Sequence, residues 1–197
     1  HLNWLKAIWY DYETSDKEIK ITWKALSWDV VINAWFWVTS TENLIVANVL
    51  RLWTTTIEMS AIEPHVMNLI DFLRKAGANI KIRYNHVIIV TWVESLVSGY
   101  EFDVVSDYIE AGTFMIIWAL LSKEYIDIKN ARFDDLYAFI QKMKQALVKI
   151  ENLGNDTARV WRCHNLKAVD IQTNIFPWFP TDVQSPFAVL LTQANGT

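Results

Sequence analysis

Cysteine is almost absent from the chain, and its scarcity excludes two kinds of chemistry. The single cysteine, Cys163, rules out an internal disulfide framework and agrees with a reducing compartment. Its neighbour His164 suggests a nucleophile or a metal ligand, but two adjacent side chains supply too few ligands and no third catalytic partner. We therefore expect neither a metal site nor thiol catalysis at this pair.

Long apolar runs and basic stripes are also missing. No stretch of about 18 uncharged apolar residues occurs, which argues against a membrane span. The 18 Lys and Arg residues are dispersed and the formal net charge is -4, which argues against nucleic acid as a partner. A hydrophobic content of 52% indicates a globular protein. The sequence starts without Met and without a signal-peptide layout, so we expect a fragment or a trimmed form of a longer chain, and the single cysteine agrees with a cytoplasmic location.

Glycine is the third scarcity, and tryptophan is correspondingly abundant. The 197 residues include 5 Gly and 11 Trp, whereas about 14 Gly are expected at the usual ~7%. The two counts together come close to the glycine expectation. Our hypothesis is that the gene uses a codon that its own host reads as glycine and that this sequence renders as tryptophan. The alternative, a natural Trp-rich core, has to explain indoles in turn contexts such as that of Trp28.

Hydrophobic periodicity and turn residues divide most of the chain into alternating strands and helices. Residues 1–26 predict the end of a helix and then a hairpin. Residues 29–104 predict the order βαβαββ, and residues 105–165 repeat that order at a spacing of about 70 residues. The predicted strands lie at 30–32, 54–57, 79–83, 86–91 and 125–129, and the predicted helices lie at 41–50, 63–76 and 133–147. The apolar stripe of the last helix indicates core rather than a cofactor site.

The most informative motif is DIQTNIFPWFPTDVQ at residues 170–184. Two prolines fix φ, so residues 176–180 predict a stiff aromatic loop. Thr181 or Asp182 is predicted to cap a helix over 183–191, and capping is the ordinary interpretation of the Asp182 carboxylate. The motif resembles the signature loop of UDP-N-acetylglucosamine 1-carboxyvinyltransferases, also called UDP-N-acetylglucosamine enolpyruvyl transferases. It departs from that loop at Trp178, where glycine or alanine is usual.

The resemblance extends over nearly the whole chain. Its landmarks include TENLI at 41–45, EP at 63–64, GANI at 77–80 and DYIEAGTF at 107–114. Tryptophans that fall where the family tends to have glycine are Trp4, Trp9, Trp23, Trp28, Trp53, Trp92 and Trp178. The repeat also aligns residues 47–54 with residues 190–197, which sets Trp53 against Gly196.

The resemblance implies a transferase of cell wall biogenesis that moves the enolpyruvyl group of phosphoenolpyruvate to the 3-hydroxyl of UDP-N-acetylglucosamine in peptidoglycan synthesis. That reaction needs a base near the sugar hydroxyl, a proton donor and cations around the phosphate, with no metal or organic cofactor. The resemblance implies Asp182 as the base. The substrate-binding residues that it implies are Val38, Thr39, Ser40, Glu63 and Asp107. Helix capping is the alternative role for Glu63.

The fold that the resemblance implies is an α/β (α+β) fold, the inside-out α/β barrel of tandem βαβαββ repeats, with about two and a half repeats present. Residues 1–104 would form the C-terminal part of the first domain and residues 105–197 the N-terminal part of the second. The nucleophile loop and the cations around phosphoenolpyruvate would lie outside this chain, so we expect the chain alone to be inactive. Truncated sheet edges could also cause self-association.

Two alternatives stay open. One is a noncatalytic relative of the same fold, suggested by Ile62 and Tyr108, where the family prefers Arg, and by Thr39, where it prefers Gly. The other is the shikimate-pathway enolpyruvyl transferase, which the loop at 170–184 disfavours. In either case Trp37 and Thr39 replace small residues that would let a nucleotide approach the backbone closely.

Overall fold

The computed structural model describes residues 10–23 and 28–196, so the helix predicted at the start of the chain lies outside the described residues. The chain divides into two compact units, His1–Asp103 and Val104–Thr197. Each unit has its own buried core, and each is described separately below.

The first unit contains the predicted hairpin and one complete βαβαββ set. Its elements are β1 (Tyr10–Thr14), β2 (Ile19–Trp23), β3 (Val30–Asn33), α1 (Val38–Asn48), β4 (Thr54–Glu58), α2 (Pro64–Lys75), β5 (Asn79–Arg83) and β6 (Val87–Thr91). Strands β1 and β2 pair with each other, and the other four form a sheet in the order β3-β4-β6-β5. Only the β3–β4 pair of that sheet is parallel. A parallel pair needs a crossover connection, which α1 supplies.

Apolar positions at strand and helix spacing build the core of the first unit. Side chains with no exposed area include Ile45, Ile57, Val66, Ile70, Ile88 and Val90. They come from α1, α2 and the two central strands, β4 and β6. The predicted order βαβαββ is therefore confirmed for this unit.

The second unit repeats the same arrangement about 70 residues later. It contains α3 (Tyr108–Leu121), β7 (Tyr125–Ile128), α4 (Tyr137–Gln145), β8 (Ile150–Asn152), β9 (Ala158–Trp161), a 3-10 turn (Thr181–Val183) and α5 (Gln184–Leu191). The sheet order β7-β9-β8 matches β4-β6-β5, and both pairs are antiparallel. A parallel bridge between Lys167 and Asn195, on either side of α5, repeats the β3–β4 relationship. The prediction of an α/β fold with tandem repeats is confirmed.

Two details of the second unit differ from the prediction. The segment between β6 and α3, residues 92–107, contains no strand, so this repeat begins with its helix. Helix α4 begins at Tyr137, not at residue 133, because Asp134 and Asp135 favour a turn. The apolar stripe is core as predicted at Leu136, Ile140 and Met143.

The ends of α2 and α4 are equivalent in the two repeats, but a different residue occupies the left-handed position in each. Helix α2 ends in a Schellman motif, in which the Ala78 N–H donates to the Leu73 carbonyl at 2.9 Å and Gly77 has φ +99°. Helix α4 ends in the same way: the Val148 N–H donates to the Met143 carbonyl at 3.0 Å, but the left-handed position holds Leu147 at φ +70°. The helix predicted over 133–147 includes Leu147 as its last apolar position, but Leu147 lies beyond the end of α4 and is exposed.

We predict that Leu147→Gly is more stable than Leu147→Ala by about 1 kcal/mol, because glycine adopts a left-handed conformation without the Cβ penalty. Urea unfolding of both variants measures the difference. Gly77→Ala is the matched control and should lose about 1 kcal/mol from backbone strain alone, since an added Cβ at this position meets no atom within 4 Å. Equal stability of the two Leu147 variants would contradict the prediction.

Candidate functional site

In the first unit, the chain turns sharply after β3 and enters α1. The Ala34 N–H donates to the Glu58 carbonyl at 2.8 Å, and the Phe36 N–H donates to the Met59 carbonyl at 2.6 Å. These bonds tie the loop after β3 to the loop after β4. The two strands are parallel, so both loops lie at the carboxyl edge of the sheet, where α/β proteins bind their ligands.

Helix α1 begins at this edge without a side-chain cap. Trp37 occupies the N-cap position and makes no capping hydrogen bond through its side chain. The predicted residues Val38, Thr39 and Ser40 form the first turn, whose N–H groups have no acceptor within a helix. Such a helix start attracts anions, including phosphate groups.

Ser40 and Thr41 differ in how their hydroxyls are used. Thr41 Oγ1 accepts a hydrogen bond from the Ala61 N–H at 2.9 Å and donates to the Trp37 carbonyl at 3.0 Å. Ser40 is fully buried, and its Oγ has no hydrogen-bond partner among the described residues. A buried hydroxyl without a partner carries a desolvation cost.

Glu63 lies at the start of α2, but its side chain makes no capping hydrogen bond. One carboxylate oxygen, Oε2, is buried and has no hydrogen-bond partner among the described residues. Burial raises the pKa of the Glu63 carboxyl, and the backbone N–H of Glu63 and the nearby His65 and His86 offset the rise only in part. The capping interpretation of the Glu63 side chain is therefore wrong, although its position at the helix start is as predicted.

His86 contacts both the loop after β3 and the loop after β4. Its Nδ1 lies 2.8 Å from the Ser60 carbonyl, and its ring meets the Phe36 ring edge to face at 5.1 Å between centroids. These contacts connect the β5–β6 turn to the loops after β3 and β4. Sequence reasoning missed His86 because nothing in its local pattern distinguishes it from an ordinary strand residue.

In the second unit, the loop at 170–180 is held by hydrogen bonds and by aromatic packing. The Asn174 N–H donates to the Phe179 carbonyl and the Trp178 N–H donates to the Ile175 carbonyl, both at 3.0 Å. Phe179 is buried and its ring lies 5.3 Å from that of Phe187 and 6.1 Å from that of Phe139. The expectation of a stiff aromatic loop agrees with these contacts.

Asp182 follows this loop in the 3-10 turn before α5. Neither Thr181 nor Asp182 makes a side-chain cap, since the residues at the two N-cap positions are Pro180 and Val183. The capping prediction for these two residues is wrong because the 3-10 turn continues directly into α5. Pro180 and Val183 are buried on either side, whereas Asp182 is exposed. The turn thus presents a carboxylate to solvent from an anchored backbone.

Asp107 is the N-cap of α3. Its Oδ1 accepts hydrogen bonds from the Ile109 N–H at 2.8 Å and the Glu110 N–H at 3.1 Å. One oxygen of this carboxylate therefore stabilises the helix start, where negative charge is favourable. The structure places Asp107 and Asp182 in the second unit and the other predicted site residues in the first.

A cleft of about 630 Å³ lies between α4 and the loop at 170–180. Tyr137, Gln141 and Lys142 line it from the helix, and Gln172, Asn174 and Trp178 line it from the loop. The Lys142 ammonium donates to the Asp170 carbonyl at 2.7 Å, which fixes the helix against the loop. Sequence reasoning missed this cleft because only the buried stripe of α4 had a recognisable period.

Among residues 10–23 and 28–196, no group of three or more His, Cys, Asp or Glu side chains is arranged to hold a metal ion. No helix in the described part of the chain is long and apolar enough to cross a membrane.

Comparison with protein families identifies relatives of this chain. The family model for EPSP synthase (3-phosphoshikimate 1-carboxyvinyltransferase) matches residues 34–197. A UDP-N-acetylglucosamine 1-carboxyvinyltransferase from Thermodesulfovibrio yellowstonii is 39% identical over 81% of this chain and 38% of its own length. A UDP-N-acetylglucosamine 1-carboxyvinyltransferase 1 from Caldanaerobacter subterraneus subsp. tengcongensis is 40% identical over 80% of this chain and 37% of its own length. The chain thus spans less than two fifths of these curated relatives.

Solved structures show the same fold. The enolpyruvyl transferase NikO from Streptomyces tendae has a TM-score of 0.87 at 19% identity, covering 99% of this chain and 49% of its own. EPSP synthase from Acinetobacter baumannii has a TM-score of 0.62 at 16% identity, covering 97% of this chain and 43% of its own. Enolpyruvyl transferases therefore share the architecture described above.

We predict that Asp107→Ala destabilises the second unit by about 0.5 to 2 kcal/mol, because two N–H groups at the start of α3 lose their acceptor. Urea unfolding followed by circular dichroism measures the loss. Asp107→Asn should keep most of the stability, since an asparagine oxygen also caps helices. Asp103→Ala, at an exposed aspartate, is the control. Equal losses for the two alanine variants would contradict the capping role.

We predict that the stability of the folded chain depends on pH through Glu63, and that Glu63→Gln removes this dependence. Because the folded-state pKa of Glu63 is raised above its ordinary 4.5, its contribution to stability is present below that value and is lost as pH rises through the folded pKa. The glutamine variant stays neutral, so its stability should increase relative to the parent chain between pH 4 and pH 8. Urea midpoints across that range measure the difference, with exposed Glu58→Gln as control. Parallel curves for the parent and Glu63→Gln would refute the prediction.

Proposed function

Since the chain belongs to the EPSP synthase (3-phosphoshikimate 1-carboxyvinyltransferase) family of enolpyruvyl transferases, we propose that the complete protein transfers the enolpyruvyl group of phosphoenolpyruvate to the 3-hydroxyl of UDP-N-acetylglucosamine. The observation that carries this proposal is the shared name of relatives at 38% to 40% identity over about four fifths of the chain. Phosphate is released in the reaction, and the product would enter peptidoglycan synthesis.

Asp182 is the residue that we assign to proton transfer. A general base must be held within reach of the hydroxyl proton that it removes. The anchored turn supports this role because buried neighbours fix its backbone while its carboxylate remains exposed. The aromatic contacts of Phe179 and the hydrogen bonds of the preceding loop add positional precision, which matters because small displacements cost rate.

The start of α1 is the part of the first unit that we assign to the nucleotide. Its uncapped N–H groups at Val38, Thr39 and Ser40 suit the negative charge of a diphosphate. The Ser40 hydroxyl and the Glu63 Oε2 find no hydrogen-bond partner within residues 10–23 and 28–196. They support a ligand role nearby, because a bound substrate would satisfy these buried groups. Asp107 stays a proposed substrate contact through the oxygen that does not cap α3.

The chain by itself is proposed to be inactive. It spans 36% to 38% of the length of these relatives, so much of a complete active site would lie elsewhere. We assign residues 1–104 to the end of the first domain and residues 105–197 to the start of the second. The complete protein would act in the cytoplasm, without a metal or organic cofactor. Strand edges of the isolated chain could also pair with a second copy.

Two other functions are the competing outcomes. The family description names 3-phosphoshikimate, which would make the acceptor shikimate 3-phosphate rather than a nucleotide sugar. A noncatalytic relative would release no phosphate with either acceptor. Tyr108 supports this last alternative, since it is buried at the start of α3 and cannot replace the charge of the family's arginine.

We predict that Asp182→Asn lowers phosphate release by about 100-fold to 10,000-fold, the usual contribution of a general base. The assay uses the complete protein with phosphoenolpyruvate and either UDP-N-acetylglucosamine or shikimate 3-phosphate. Asp134→Asn, at another exposed aspartate, is the matched control and should retain the parent rate. Release with shikimate 3-phosphate alone would reassign the acceptor. If the parent protein and Asp134→Asn are both folded and neither releases phosphate with either acceptor, the result would support a noncatalytic relative.

A further inference from the structure

The tryptophans whose side chains the structure describes do not build its cores. Among the described residues, neither hydrophobic core cluster contains a tryptophan. Exposed fractions between 40% and 65% are found for Trp28, Trp35, Trp37, Trp53, Trp92 and Trp178. These six are called the exposed tryptophans below. Tryptophan is normally among the most buried residues on average, so a set of this size on the surface is unexpected for a natural Trp-rich fold.

Two of the exposed tryptophans have a backbone that favours glycine. Trp35 has φ +54° and Trp53 has φ +78°. Left-handed φ is uncommon for a residue with a Cβ and is especially unfavourable for bulky side chains. Glycine adopts the same conformation at little cost.

The internal repeat supplies an independent comparison for Trp53. Its counterpart in the aligned segments 47–54 and 190–197 is Gly196, which has φ +110°. Both residues follow a helix, α1 or α5; Trp53 directly precedes β4, and Gly196 directly follows Asn195, which pairs with Lys167. The same structural position therefore holds a left-handed glycine in one repeat and a left-handed tryptophan in the other.

Trp161 shows what a tryptophan with an ordinary structural role does in this chain. It is half-buried on β9, the Lys149 ammonium lies 4.0 Å from its ring centroid, and the Tyr125 ring lies 5.9 Å away. Its φ is not left-handed. Trp161 is therefore the reference with which the burial and φ of the exposed tryptophans are compared.

We infer that positions 28, 35, 37, 53, 92 and 178 are glycine in the functional protein, encoded by a codon that the producing cell reads as glycine. Glycine at positions 35 and 37 removes two indoles from the loop that leads into α1, which would let a ligand approach the backbone of that loop. Glycine at position 178 removes one wall of the cleft beside α4. Exposure supports glycine at all six positions, left-handed φ supports it at 35 and 53, and the repeat supports it at 53; none of these observations depends on the proposed reaction.

The codons of the gene test the inference directly and do not require the protein to fold. We expect a codon other than UGG at positions 35 and 53. UGG at either position would overturn the inference.

Variants of this chain test the structural argument. Trp53→Gly should melt about 4 to 8 °C above Trp53→Ala, since alanine keeps the left-handed penalty that glycine lacks. The same pair at Trp161 is the matched control, and here alanine should melt above glycine because Trp161 has a β conformation, paired with Tyr125, in which glycine loses more backbone entropy than alanine. Thermal unfolding followed by circular dichroism gives both orders. A Trp53→Ala variant that melts at or above Trp53→Gly would count against a glycine position.

Discussion

The packing of Phe139, Phe179 and Phe187 is the interaction on which the second unit depends. Their ring centroids lie 5.3 to 6.1 Å apart, and all three side chains are buried. They come from α4, from the loop at 170–180 and from α5, so a single cluster joins a helix of one repeat to the loop and helix of the next. Together with the hydrogen bonds within the loop, these rings fix where the Asp182 turn lies. Aromatic burial is thus the physical link between the repeated scaffold and the proposed chemistry.

Regular elements were predictable from the sequence because their signals are local. Short runs of β-branched residues mark β4 and β6, alternating isoleucines mark β5, and the Pro64 start and Gly77 end of α2 have direct conformational causes. The start of α4 was not predictable, since an apolar residue at 133 matches the helical period whether or not the helix has begun. Leu147 was misjudged for a related reason. Its equivalence to Gly77 is visible only when the two repeats are aligned, and hydrophobicity alone predicts that it is buried.

The candidate site was less predictable because its properties arise between segments. Residues 170–184 indicated the Asp182 loop, and the capping rule then failed because Pro180 and Val183 bracket a 3-10 turn. The buried oxygen of Glu63 and the edge contact of His86 with Phe36 depend on loops that are distant in sequence. The cleft beside α4 was missed for the same reason. Short-range patterns identify elements, whereas the environment of a side chain depends on which elements meet.

The pairing of β4 with β6 and of β7 with β9 has a consequence for how the protein is made. Thr54 pairs with Thr91 and Tyr125 with Trp161, so each sheet closes a loop of about 40 residues or fewer. The entropic cost of closing a loop grows only slowly with its length, and neither loop extends into the next repeat. Each repeat could therefore assemble its sheet soon after leaving the ribosome, before the next repeat has been synthesised. Cotranslational folding would then proceed repeat by repeat, and the aromatic cluster would form only once α5 had emerged.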